Sequence, residues 1–153
     1  MPHYWLFLAL PPLLAAAVAD IGWRIIPNWV PLALVLGYAV AMIIERDPTG
    51  LVQALAIGAG VLIAGIVPFA AGLIGGGDVK LAAAVAVWIG AGALPEFLVV
   101  MALVGGLLAL VTLALRIVRR LLDHGRRPAG PPSGVPYGVA IVAAAVWILA
   151  GRP

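Results

Sequence analysis

Cysteine is absent from all 153 residues. That excludes disulfides, thiolate metal sites and a thiol nucleophile, and it carries no information about compartment. Histidine is almost absent, with only His3 and His124. A histidine-based metal centre or a Ser-His-Asp triad has little to be built from, so neither a metal nor another cofactor is expected. Charge is scarce as well. Asp, Glu, Lys and Arg make up 10% of the chain, where a soluble domain carries about 25%. The net charge of +3 is small, and there is no basic stripe interleaved with aromatics, so nucleic acid is not an expected partner. No internal repeat and no heptad pattern is evident.

What is present is apolar. Hydrophobic residues make up 65% of the chain, and the mean hydropathy is +1.19. Uncharged windows run over residues 4–19, 29–44, 51–77, 81–95, 97–115 and 133–151. A helix rising about 1.5 Å per residue needs roughly 17–25 residues to cross a bilayer core. The expectation is an all-α polytopic membrane protein of about six transmembrane helices, forming a single domain over residues 1–153. The first window lacks a basic leading region, and Asp20 follows it instead of a small-residue cleavage site, so it reads as a retained helix. Trp5, Trp23, Trp29, Trp88 and Trp147 read as interfacial anchors. None of these features fixes a number of subunits.

Loop charges orient the windows. With the N-terminus outside, Arg24, Lys80, Arg116, Arg119, Arg120, Arg126 and Arg127 fall inside, and only Arg46 and Arg152 fall outside. That bias predicts both termini outside the cytoplasm and the arginine-rich segment 116–133 within it. The plain reading of that cluster is a topology signal with lipid-headgroup contact.

Two aspartates then stand out. Asp20 closes the first window and Asp78 opens the fourth, just after Gly75, Gly76 and Gly77 in "LIGGGDVKLA". Two crossings separate them, so both belong at the cytoplasmic membrane surface. A carboxylate at a membrane boundary is costly if buried, and is a functional candidate by default. The plain alternative is a snorkelling Asp, or one paired with Arg24 or Lys80. Two facing carboxylates suit metal-free peptide hydrolysis: one, ionised, takes a proton from water, and the other, protonated, donates to the carbonyl under attack. The helix ends assign the roles. Asp20, near the C-terminal end of the first helix, is expected to be the acid, and Asp78, near an N-terminal end, the base. The glycines would let an extended substrate pass close and would permit unusual dihedrals. Their plain reading is helix–helix contact. Arg24 orients a carbonyl or anchors the loop. Asn28 caps or hydrogen-bonds near the site, with Pro27 setting the turn. Lys80, two residues past Asp78, does not face it on a helix, and contacts lipid phosphate, the Asp20 segment or substrate.

These residues resemble a known family. "GGGD" fits a GxGD pattern, and "GGGDVKL", with Lys80, is similar to the second aspartate motif of the type IV prepilin peptidases. "DIGWRIIPN", with Asp20, Arg24, Ile25, Ile26 and Asn28, resembles their first. "GVPYG", with Pro136 and Gly138, resembles the element that opens a late helix. The resemblance implies a membrane aspartyl endopeptidase of the bacterial inner membrane. It would remove the basic leader from prepilin or pseudopilin substrates at the cytoplasmic face, with Asp20 and Asp78 as catalytic dyad and Gly75, Gly76, Gly77, Lys80, Arg24, Asn28, Pro136 and Gly138 supporting it. The chain departs from the longer members, which carry a cysteine-bearing cytoplasmic region and N-methylate the product. It looks like the short form of tight-adherence pilus systems, and no methylation is expected. Presenilin-like proteases share GxGD, but Ala19 stands before Asp20 where they carry a tyrosine. Two other readings are a non-catalytic scaffold of a pilus or secretion assembly and a proton- or cation-coupled transporter. A transporter would place charges nearer mid-bilayer.

Overall fold

The computed structural model describes residues 6–122 and 135–151. The readings given for His3, Trp5, His124, Arg126, Arg127 and Arg152 concern residues outside these stretches. The described residues form α1 (Leu6–Trp23), α2 (Trp29–Glu45), α3 (Pro48–Ala70), α4 (Gly76–Leu122) and α5 (Tyr137–Ala150), with no strand among them.

The short connections are written in the sequence. At the end of α2, Arg46 adopts a left-handed conformation (φ 55°) and its N–H bonds to the Ile43 carbonyl, while the Asp47 N–H reaches Met42. This is the crossed pair that closes a helix C-terminus. Asp47 also starts α3: its Oδ1 accepts the Gly50 N–H at 2.8 Å, and Pro48 takes the first helical position, where its missing N–H costs nothing. At the far end of α3 the same crossed pair recurs, with Gly72 at φ 70° and the N–H groups of Gly72 and Leu73 bonded to Phe69 and Pro68.

The six windows become five helical elements, one of which, α4, is two helices joined at a kink, and the break expected around Pro95 and Glu96 is not there. Both residues lie inside α4, and the chain turns at Gly90 instead (φ 69°, ψ 174°). A straight α4 would carry Gly105 roughly 42 Å from Gly77 at about 1.5 Å per residue. Yet a Cβ on Gly105 would lie 2.8 Å from the Tyr137 ring. The next residue, Gly138, lies against Asp20 and Ile26, and Ile26 lies against Gly77. So α4 folds back at Gly90 into two arms. The first runs antiparallel to α3, with Gly65 against Val79 and Gly58 against Val87 and the Ala83 carbonyl. The Gly90 dihedrals belong to a region that is essentially glycine-only. Gly90→Ala has space for its methyl group, so its whole effect is backbone strain. We expect it to cost about 1–3 kcal/mol, seen as a lower thermal unfolding midpoint in detergent. An unchanged midpoint would show that the turn is not strained.

By length and composition α3 and α4 suffice to cross a membrane, and α1, α2 and α5 are shorter apolar helices. Only 11% and 6% of the apolar windows of α3 and α4 are buried within the protein, whereas the core helix of a soluble protein is mostly buried. Phe7, Val67, Leu73 and Leu103 point outwards, as lipid-facing side chains do. The interior is built from α1, α2, the first arm of α4 and α5, around Leu13, Leu34, Leu81, Val85 and Ile141. Trp88 belongs to this interior and not to the interface. It is 2% exposed, donates from Nε1 to the Leu34 carbonyl at 2.9 Å and meets the Tyr38 ring edge-on at 5.4 Å. Trp23, Trp29 and Trp147 are exposed.

Candidate active site

Asp20 lies in the last turn of α1 and is 5% exposed. Its carboxylate sits against the start of α5: Oδ2 accepts the Val139 N–H at 3.2 Å, and the Gly138 N–H also donates to it. Pro136 immediately precedes α5 and leaves this end free of one competing N–H. A Cβ on Gly138 would come 2.9 Å from Asp20 Oδ2 and 2.8 Å from Ile26 Cδ1, so only glycine lets α5 approach this closely.

Asp78 lies in the first turn of α4 and is half-buried. It takes a backbone hydrogen bond from Gly75, the residue just before the helix, the return half of a capping arrangement. Asp78 and Asp20 stand within electrostatic reach of each other. Ile26 is the spacer between their segments. It is 8% exposed, and its Cβ would lie 3.2 Å from a Cβ on Gly77 while its Cδ1 touches Gly138. Two of the three glycines serve close packing, and a Cβ on the third, Gly75, would meet the Asp78 carboxylate. Gly77 meets Ile26 and Gly76 meets the Phe69 ring. The unusual dihedrals expected of Gly75, Gly76 and Gly77 are found instead at Gly72 and Gly90.

The helix-end argument for the proton also changes. Asp20 belongs to the C-terminal end of α1, but its oxygens meet N–H groups at the N-terminal end of α5. Both carboxylates thus face a positive helix end, and the dipoles no longer separate their roles.

The supporting residues divide. Arg24 follows α1 in a left-handed conformation (φ 55°), with its N–H bonded to the Asp20 carbonyl, and its charge acts on Asp20. Asn28 precedes α2 but makes no side-chain cap. Its Oδ1 accepts Lys80 Nζ at 2.9 Å instead, so Lys80 reaches the segment that follows Asp20, and not Asp78.

Asp78 opens onto a cleft of about 520 Å³ between α3, both arms of α4 and α5. Its walls include Ala64, Pro68, Ala82, Leu98 and Met101, and among the described residues its polar side chains are Asp78 and Tyr137. Asp20 is buried and is not part of the cleft lining. The sequence reading missed Ile26, Tyr137 and Val139. The first two lie inside the very motifs that carried the resemblance, and Val139 acts through its backbone alone. No cluster of three or more His, Asp or Glu suited to a metal occurs among the described residues.

Comparison with curated proteins and with solved structures found no match. The model of the type IV leader peptidase family matches residues 7–110, about two thirds of the chain and a span that includes both aspartates. The apolar helices, the glycine-flanked Asp78 and this match agree: the chain is a membrane protein that belongs to the type IV leader peptidase family.

Proposed function

We propose that the chain is an aspartyl endopeptidase that uses Asp20 and Asp78 to remove the basic leader from prepilins or pseudopilins at the cytoplasmic face of the inner membrane. The observation that carries this reading is the approach of two carboxylates from α1 and α4, one of them at the edge of an apolar cleft. One carboxylate takes a proton from water, and the resulting hydroxide adds to the scissile carbonyl carbon. The other gives its proton to the carbonyl oxygen. The tetrahedral intermediate collapses, the C–N bond breaks, and the amine nitrogen leaves with a proton from the pair. Neither a metal nor a covalent intermediate is involved.

The cleft suits an apolar stretch on one side of the cut. The basic leader on the other side stays with the cytoplasmic loops. Alternation of the helices from an outer N-terminus puts the ends of α1 and α3 and the start of α5 on that same cytoplasmic side, with both chain termini outside. With no cysteine-bearing region present, the new amino terminus stays unmethylated.

Incubating the purified protein in lipid or detergent with candidate prepilins tests the reading. The expected product is the mature pilin, cut at one bond, with an amino terminus of unmodified mass. A non-catalytic scaffold or a transporter yields no cut product with any prepilin, and a product carrying an added methyl group would overturn the short-form assignment.

A further inference from the structure

A second groove of about 520 Å³ lies between α2, α3 and the first arm of α4, on the other side of α4 from the Asp78 cleft. Each helix lines it over seven residue steps: 28 to 35 on α2, 55 to 62 on α3 and 80 to 87 on α4. That is about 10 Å along each axis. Its polarity comes from the starts of α2 and α4, and α3 adds only apolar wall. Lys80, close to Asp78 in the chain, and Asn28 stand at one end, and every other lining side chain among the described residues is apolar. Its walls continue into an outer surface of exposed Leu32, Leu62 and Ile63, so it opens towards lipid.

We propose that this groove holds one molecule of an anionic phospholipid, with its phosphate on Lys80 and Asn28 and part of an acyl chain laid along the apolar walls. The polar end is a built donor pair. Lys80 gives one N–H to Asn28 Oδ1 and keeps two. That bond turns the Asn28 oxygen towards Lys80 and leaves the adjacent amide NH₂ as a further donor. Among the described residues no carboxylate forms an ion pair with Lys80. A cation at the rim of an apolar groove is complementary to a group that is anionic at one end and hydrocarbon at the other. A substrate is a poorer match, because the carboxylate proposed to act on it opens into the other cleft. The bound phosphate would strengthen the Asn28–Lys80 link. Asn28 is two residues past Ile26, and Lys80 two past Asp78, so the lipid would hold together the two segments that carry the aspartates.

Native mass spectrometry of the full chain tests this. Phosphatidylglycerol and phosphatidylcholine with the same acyl chains are supplied in competition to wild type, Lys80→Gln, Lys80→Arg and Ala59→Trp. Ala59 lines the groove and is exposed, so the indole fills it. Wild type and Lys80→Arg are expected to retain one phosphatidylglycerol about fivefold over phosphatidylcholine. Lys80→Gln should lose that preference, and Ala59→Trp should retain neither lipid. Equal preference in wild type and Lys80→Gln would overturn the assignment. So would displacement of the lipid by inorganic phosphate alone, which means the groove takes no part, or by a prepilin peptide, which makes it a substrate site.

Discussion

Asp20→Asn and Asp78→Asn are each expected to lower the rate of leader cleavage by roughly 10²–10⁴-fold, with membrane insertion intact. An amide has nearly the shape of the carboxylate it replaces but neither accepts water's proton nor donates as an acid. The two substitutions act on one unit, so the double variant should be little worse than the worse single one. Asp20→Asn is the more disturbing change to the fold, because it lies buried against two backbone N–H donors from α5 and half of the amide group is itself a donor. Its unfolding midpoint should be measured beside its activity, while Asp78→Asn, half-buried, reports more purely on chemistry. Glu45→Gln, exposed at the far end of α2, should cleave normally. Single-turnover rates with a saturating prepilin are the measurement, and full activity in either Asn variant would remove the dyad from the mechanism.

The second large effect is expected from a residue with no functional group. Gly138→Val must displace something, since even the first added carbon falls 2.8 Å from Ile26 Cδ1 and 2.9 Å from Asp20 Oδ2. The Ile26 methyl is a flexible end, but Asp20 is fixed by the Gly138 and Val139 N–H groups. Any relief that moves α5 away therefore loosens the carboxylate. Misplacing a reacting group by about 1 Å can cost roughly 10²-fold in rate, and that is the expected loss in kcat, with a smaller change in KM. Gly106→Ala is the matched control: its Cβ meets nothing within 4 Å, and activity should be unchanged. A Gly138→Val protein that cleaves at the wild-type rate would show that the observed seat of Asp20 is not the working one.

The aspartates could be read from the sequence because charge is rare there. In a chain with 10% charged residues, an Asp at a window edge carries weight, and parity of crossings put the two on one side. Their surroundings were hidden for a physical reason. The hydrogen bond to Asp20 Oδ2 comes from Val139, 119 residues away, and Lys80 finds Asn28 across 52. No local pattern announces either. Trp88 was misjudged because the first arm of α4 is apolar all round. Without a polar face, periodicity does not say which side packs inwards. The turn was placed at Glu96, between the windows 81–95 and 97–115, because charge marked the window edges. The actual one, Gly90, is one of 19 glycines and differs from the others in its dihedrals, not in its neighbours.

That turn also bears on how the protein is made. The arm from Gly76 to Ile89 is about 21 Å long, short of a hydrocarbon core of about 30 Å, so standing alone across the bilayer it would carry a mismatch. Pairing with the residues after Gly90 as a helical hairpin relieves that mismatch, so Asp78 is expected to settle at its final depth once the returning arm has been made. Asp20, synthesised first, waits longer still, since Gly138 and Val139 arrive with the last helix. If the two carboxylates act together as proposed, the pair is assembled only once α5 has been made, and a chain cut before Gly138 is expected to cleave nothing.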